Sequence, residues 1–177
     1  MTGRLARRAL LGIGAGAALA GCGFEPVYMP TASGRAGPAQ REMAAIYVGV
    51  IPDRPGQLLR QALQERLESD TPTAPRRYDL AVSFSISGEG VSIQPDSSAT
   101  RIRLIGSANW TLTAQDPAKT RVTSGSARAM DAFNILDQQY FAADMQNEQV
   151  ASRLASTLAD EIALQLAVFF RRQAASG

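Results

Sequence analysis

Apolar and polar residues alternate most cleanly over 78–87. Tyr78, Leu80, Val82, Phe84 and Ile86 are apolar, with Asp79, Ala81, Ser83, Ser85 and Ser87 between them. That period of two predicts a strand with one buried face. Gly88 and Gly90 interrupt it, and Val91 and Ile93 resume in the opposite phase, which predicts a bulge or bend. After the turn signal Pro95-Asp96-Ser97-Ser98, a strand over 100–113 places Ile102, Leu104, Ala108, Trp110 and Leu112 on one face. Asp116-Pro117-Ala118-Lys119 suits a type I turn with Pro in second place, leading to a strand over 120–130. Upstream, 46–51 reads as a short strand with Ile46, Val48 and Val50 on one face. Two stretches have helical spacing instead. Over 55–69, Leu59, Ala62, Leu63 and Leu67 form a stripe, with Asp53 as the expected N-cap. Over 140–172, Val150, Leu154, Leu158, Ile162, Leu166 and Phe169 form another, widened by Ala151, Ala155 and Ala159. The order β-α-β-β-β-α predicts an α+β fold. It is a two-layer sandwich of an about four-stranded mixed sheet with two helices packed on one face. If the first two strands are parallel, their crossover should be right-handed.

The N-terminus follows a different pattern. Arg4, Arg7 and Arg8 precede an uncharged run from Ala9 to Leu19, which is the layout of an export signal. That run is too short to span a bilayer, which takes about 20 apolar residues. Arg7-Arg8 lacks the full flanking pattern of a twin-arginine signal. Leu19-Ala20-Gly21-Cys22 resembles the lipobox of bacterial lipoproteins. The resemblance implies cleavage of residues 1–21 as a signal peptide and attachment of a diacylglyceryl group to the Cys22 thiol, with a further acyl chain such as palmitate on the new amino group. One chain binds membranes marginally and a second makes binding durable. The alternative is a secretory signal with an incidental cysteine. By resemblance to Gram-negative lipoproteins, Gly23 in the place after Cys22 implies sorting to the outer membrane, on its periplasmic side. Residues 22–43 then read as a lipidated N-terminus and flexible tether, since 29–42 is rich in Pro, Gly, Ala and Ser. The folded domain is expected over 44–177.

Composition narrows the chemistry. The 177 residues include no histidine and one cysteine, Cys22. This excludes Ser-His-Asp and Cys-His nucleophiles, His-ligated metals, intrachain disulfides and Cys-rich zinc sites. Carboxylates are the remaining catalytic route. Asp160 and Glu161 are adjacent on a helix and diverge, and neither Asp131 nor Asp137 gains a convincing partner for general acid work. No cofactor is expected, and no nucleic-acid motif is present. The formal charge of +2 belongs to the signal. Its removal takes Arg4, Arg7 and Arg8 and no acid, leaving −1.

The solvent face of the central strands is unusual. Ser83, Ser85 and Ser87 lie on one strand, and Ser107, Asn109, Thr111 and Thr113 on the next, with Arg101 and Arg103 at one end. Exposed sheets usually carry more Lys and Glu. Small hydroxyl and amide groups suit another polar wall, such as the lumen of a β-barrel. A plain Ser/Thr-rich surface in an arginine-rich, lysine-poor proteome would look the same. Arg101, Arg103, Arg121 and Arg128 could lie near one another on this sheet. Guanidiniums grip phosphate in two-point contacts, so they are candidates to meet phosphorylated lipid head groups; pairing with neighbouring acids is the alternative.

Together, Leu19-Ala20-Gly21-Cys22-Gly23-Phe24-Glu25-Pro26-Val27-Tyr28, the β-α-β-β-β-α order and the 133–170 block resemble one family. That block runs from Phe133-Asn134-Ile135-Leu136-Asp137 through Arg153-Leu154-Ala155 and Leu158-Ala159-Asp160-Glu161-Ile162 to Leu166 and Phe169. The chain is similar to the lipopolysaccharide-assembly lipoproteins, LptE, in their alphaproteobacterial form. The resemblance implies a protein without catalysis. It would sit as a plug in the outer-membrane barrel LptD, assist its assembly and bind lipopolysaccharide on the way to the cell surface. A generic envelope lipoprotein acting as periplasmic scaffold or adaptor is the alternative.

Overall fold

A computed structural model describes residues 37–67, 75–93, 99–134 and 140–176. Cys22, the cleavage site before it, residues 22–36, the turn at 95–98 and Asp137 lie outside the described residues.

The elements follow in the order α1 (Pro38–Ala44), β1 (Ile46–Val48), α2 (Asp53–Leu67), β2 (Tyr78–Ile93), β3 (Ala99–Ala114), β4 (Arg121–Asn134) and α3 (Tyr140–Ser176). The four strands form one sheet in the order β1-β2-β3-β4. β1 runs parallel to β2, and the other pairs are antiparallel. The expected α+β fold with a four-stranded mixed sheet is therefore present, with α1 as an added helix. Strands β2 to β4 extend for about 50 Å, and α3 for about 55 Å.

Alternation decides which face meets the helices. Leu80 and Val82 of β2, Leu104, Ala108, Trp110 and Leu112 of β3, and Ala127 and Ala129 of β4 are buried. They pack with Leu59, Leu63 and Leu67 of α2 and with Val150, Leu154, Leu158, Ile162 and Leu166 of α3 in one core. Gly106 lets α3 lie close on β3, because a Cβ there would sit 3.1 Å from Leu158 Cδ1. β2 continues through Gly88 and Gly90, and its pairing with β3 slips around Ser92, as the change of phase predicts. The β3–β4 turn is built as expected. The Lys119 N–H donates to the Asp116 carbonyl, and the Asp116 carboxylate accepts from the Thr120 N–H at 2.9 Å and its hydroxyl at 2.8 Å.

Four local expectations give way. Residues 38–44, expected to end the tether, form α1 and bury Ala39 and Met43 in the core. Two buried residues in a seven-residue helix are too few to stand out as a period. β1 is only three residues long, so Val50 is 81% exposed and Ile51 is buried instead. The chain leaves the sheet there to carry Ile51 under the first turn of α2, where a Cβ on Gly56 would come within 2.7 Å of Ile51 Cγ2. In α3, Phe170 is fully buried and Phe169 only packs at its margin, because steps of four from Val150 land on 170. Asp53 opens α2 with φ 65°, in the left-handed region, where short polar side chains are tolerated.

Candidate partner-facing sheet surface

The second face of the sheet carries no helix-facing residues and is set by the strand register. From one end to the other its cross-strand rows are Asp79–Thr113–Arg121, Ala81–Thr111–Ser124, Ser83–Asn109–Ser126, Ser85–Ser107–Arg128, Ser87–Ile105–Met130 and Glu89–Arg103–Ala132. Residues directly opposite share a face. The rows from Ala81–Thr111–Ser124 to Ser85–Ser107–Arg128 are therefore mostly alcohols and an amide, with Arg121 beyond one end and Arg128 at the other. Ser83, Ser85, Ser87, Asn109, Ser124 and Ser126 are all exposed. Ile105 breaks the pattern. It lies on this polar face yet is only 6% exposed, beside Met130, which is 66% exposed.

The register also places the four arginine candidates. All are exposed on this face. Arg101 and Arg103 are next-but-one neighbours on β3, about 7 Å apart along the strand. Arg128 sits opposite Ser107, four positions from Arg103, or about 13 Å along the sheet. Arg121 pairs with Thr113, at the other end, about 40 Å from Arg101. The structure thus brings Arg101 and Arg103 together, sets Arg128 within reach of a large ligand, and leaves Arg121 apart. None of the four forms an ion pair with a described residue.

Three acids, Asp79, Asp131 and Asp160, are engaged in structure. The hydrogen bond from Gln115, at 2.7 Å, is the largest influence on the Asp79 carboxyl and lowers its pKa; burial opposes it, and the Lys119 bond and charge add to it, so the net direction is down. For Asp131, burial is the largest influence and pushes its pKa up. The Arg153 bond at 2.7 Å and the Ala132 N–H outweigh it, so the net direction is down. Arg66 similarly lowers Asp160. Among the described residues, no three acidic, cysteine or histidine side chains converge on a possible metal position.

The arrangement can therefore present a hydrogen-bonding wall. The fold that carries it resembles those of bacterial lipoproteins of known structure. A lipoprotein from Caulobacter crescentus CB15 has 23% sequence identity, covers 75% of this chain and 96% of its own, and superposes with a TM-score of 0.60. Rare lipoprotein B from Shewanella oneidensis, at 14% identity, covers 70% and 93% with a TM-score of 0.51. Uncharacterized lipoprotein B from Nitrosomonas europaea, at 13% identity, covers 70% and 82% with a TM-score of 0.51. At these identities the likeness establishes the fold: an α+β domain of bacterial lipoproteins. No curated protein matches. The family LptE, lipopolysaccharide-assembly, matches residues 43–166, and the chain belongs to that family.

Proposed function

We propose that this lipopolysaccharide-assembly lipoprotein acts without catalysis, as the plug of the outer-membrane barrel LptD. It is held through a lipid on Cys22 at the periplasmic side of the outer membrane and binds lipopolysaccharide during delivery to the cell surface. The observation that carries this reading is the alcohol-and-amide wall across β2, β3 and β4. Such a surface hydrogen-bonds a polar barrel lumen without burying charge, which would cost several kcal/mol per unpaired ion. Arg101 and Arg103, with Arg128 beyond them, are the groups expected to meet lipopolysaccharide phosphates.

Gentle detergent extraction of native membranes should yield the chain together with LptD. Recovery of the chain alone would refute the plug. Arg101→Glu with Arg103→Glu should weaken lipopolysaccharide binding at least tenfold, or about 1.4 kcal/mol, while the unfolding midpoint stays in place because both side chains are exposed. Unchanged binding by the folded double variant would refute the arginine assignment.

A further inference from the structure

The sheet has two unlike ends, and the end away from Arg101 and Arg103 is the one from which the chain leads back to Cys22. Tyr78 marks it. Its ring lies 5.4 Å from that of Phe170, near the end of α3, and its hydroxyl donates to Glu42 of α1 at 2.9 Å. Tyr78 thus joins Glu42 of α1 to the C-terminal turns of α3. Fourteen residues lie between Cys22 and Gly37, which precedes α1; a flexible chain of that length would span about 20 Å. An acyl group on Cys22 would hold this end of the domain close to the bilayer.

The surface found there has the makeup of an interfacial helix. From Ile162 to Phe170, α3 carries no charge, and Gln165 is its one polar residue. One side of that stretch fills the core. The other exposes Leu164 at 48% and continues through Val168 to Arg171, Arg172 and Ala175. Val168, Arg171, Arg172 and Ala175 follow the spacing i, i+3, i+4, i+7 and line a groove of about 400 Å³. Arg76 and Arg77 precede Tyr78 at the same end, Arg76 stacking over Tyr47 at 4.8 Å and Arg77 pairing with Glu42 at 2.6 Å. Arg41 is exposed on α1. An apolar stripe bordered by arginines lies in the headgroup layer of a membrane, with its guanidiniums on lipid phosphates. No helix of the described residues is long and apolar enough to cross a membrane.

We infer that the Leu164–Ala175 face of α3 seats on an anionic phospholipid surface beside the lipid anchor, Arg171 and Arg172 gripping headgroup phosphates. This rests on the anchor at Cys22 and is independent of the barrel partner. The seating would fix the orientation of the domain, with the Arg101–Arg103 end pointing away from the anchored leaflet.

The test uses the full acylated chain, whose acylation is verified by mass. With Cys22 blocked by lipid, a single introduced cysteine takes a spin label. Labels are placed at Leu164→Cys and Ala175→Cys on the proposed face, and at Asn109→Cys on the opposite layer. In vesicles of phosphatidylcholine with phosphatidylglycerol, the first two should lose severalfold of their accessibility to a water-soluble nickel chelate. The third should keep it. Raised salt should restore access, and Arg171→Ala or Arg172→Ala should each weaken the seating by roughly a factor of five. Labels that stay water-accessible on an acylated chain would overturn the seating alone. So would shielding that is equal on pure phosphatidylcholine and indifferent to both substitutions. A chain carrying no acyl group would refute the anchor and the seating with it.

Discussion

Trp110 illustrates how narrowly a single side chain is placed here. Its indole N–H donates to Gln165 Oε1 at 3.0 Å, and the Gln165 amide in turn donates to the Ser126 carbonyl at 3.0 Å. The ring lies flat over Gly125, its cross-strand neighbour. A Cβ at that glycine would come within 2.6 Å of Trp110 Cζ2, 2.8 Å of Cε2 and 2.9 Å of Gln165 Oε1. Neither the ring nor the bonded amide can yield without breaking the link between β4 and α3. Gly125→Ala should therefore cost about 1–3 kcal/mol, the usual penalty for overpacking. Ser124→Ala, one residue away on the exposed face, should stay within about 0.5 kcal/mol. Urea unfolding of the two variants checks this, and equal midpoints would contradict it. The sequence marks Trp110 as a core residue through its place in the β3 alternation. It carries no sign of the Gly125 requirement, which arises only when register sets the two side by side. Ile105 was hidden for a related reason. It stands among polar residues on its face of β3, and nothing in that pattern signals that it is buried.

At the scale of elements, the helices are tied to one another and to the sheet by ion pairs around the core. Arg66 of α2 bonds Asp160 and Ser156 of α3, Arg54 bonds Glu148, and Arg153 of α3 bonds Asp131 of β4. Asp131 and Asp160 both have folded pKa values below the ordinary carboxylate range. A depressed folded pKa means that the unfolded chain binds protons first as pH falls. The stabilisation is thus complete above the unfolded value, about 3.9, and fades as pH drops through the folded one. Asp131→Asn should lower the unfolding midpoint at pH 7 and flatten its dependence below about pH 4. An acid limb as steep as that of the parent would sink the assignment. Long periodic elements such as α3 and β2 were legible from sequence because many residues repeat one pattern. α1 was not: its Pro-start and small residues match a tether, and its helicity depends on the pocket that receives Met43. The arginines were legible as residents of one face but not as neighbours. Their separation follows from the antiparallel register and from the slip between Leu112 and Thr113 that places Arg121.

For the molecule as a whole, the two sheet faces have opposite tasks, and they can be perturbed independently. The inner face supplies stability through its core, whereas the outer wall contributes almost none, since its alcohols and amides are solvated in the isolated chain. The wall should therefore be nearly silent in unfolding and decisive in assembly. Asn109 sits in a central row, between Ser83 and Ser126, and is exposed. Asn109→Arg places a long cation where a flush polar contact is proposed. The isolated domain should keep its stability within about 0.5 kcal/mol. The yield of LptD in co-purification should fall at least tenfold, the loss of about 1.4 kcal/mol that one misplaced charge readily exceeds. Gln61→Arg, on the exposed side of α2, adds the same charge off the wall and should leave the yield unchanged. If both variants lowered it equally, net charge rather than the wall would govern assembly. If neither did, the sheet face would have no barrel contact at its centre, and the polar wall would need a different partner.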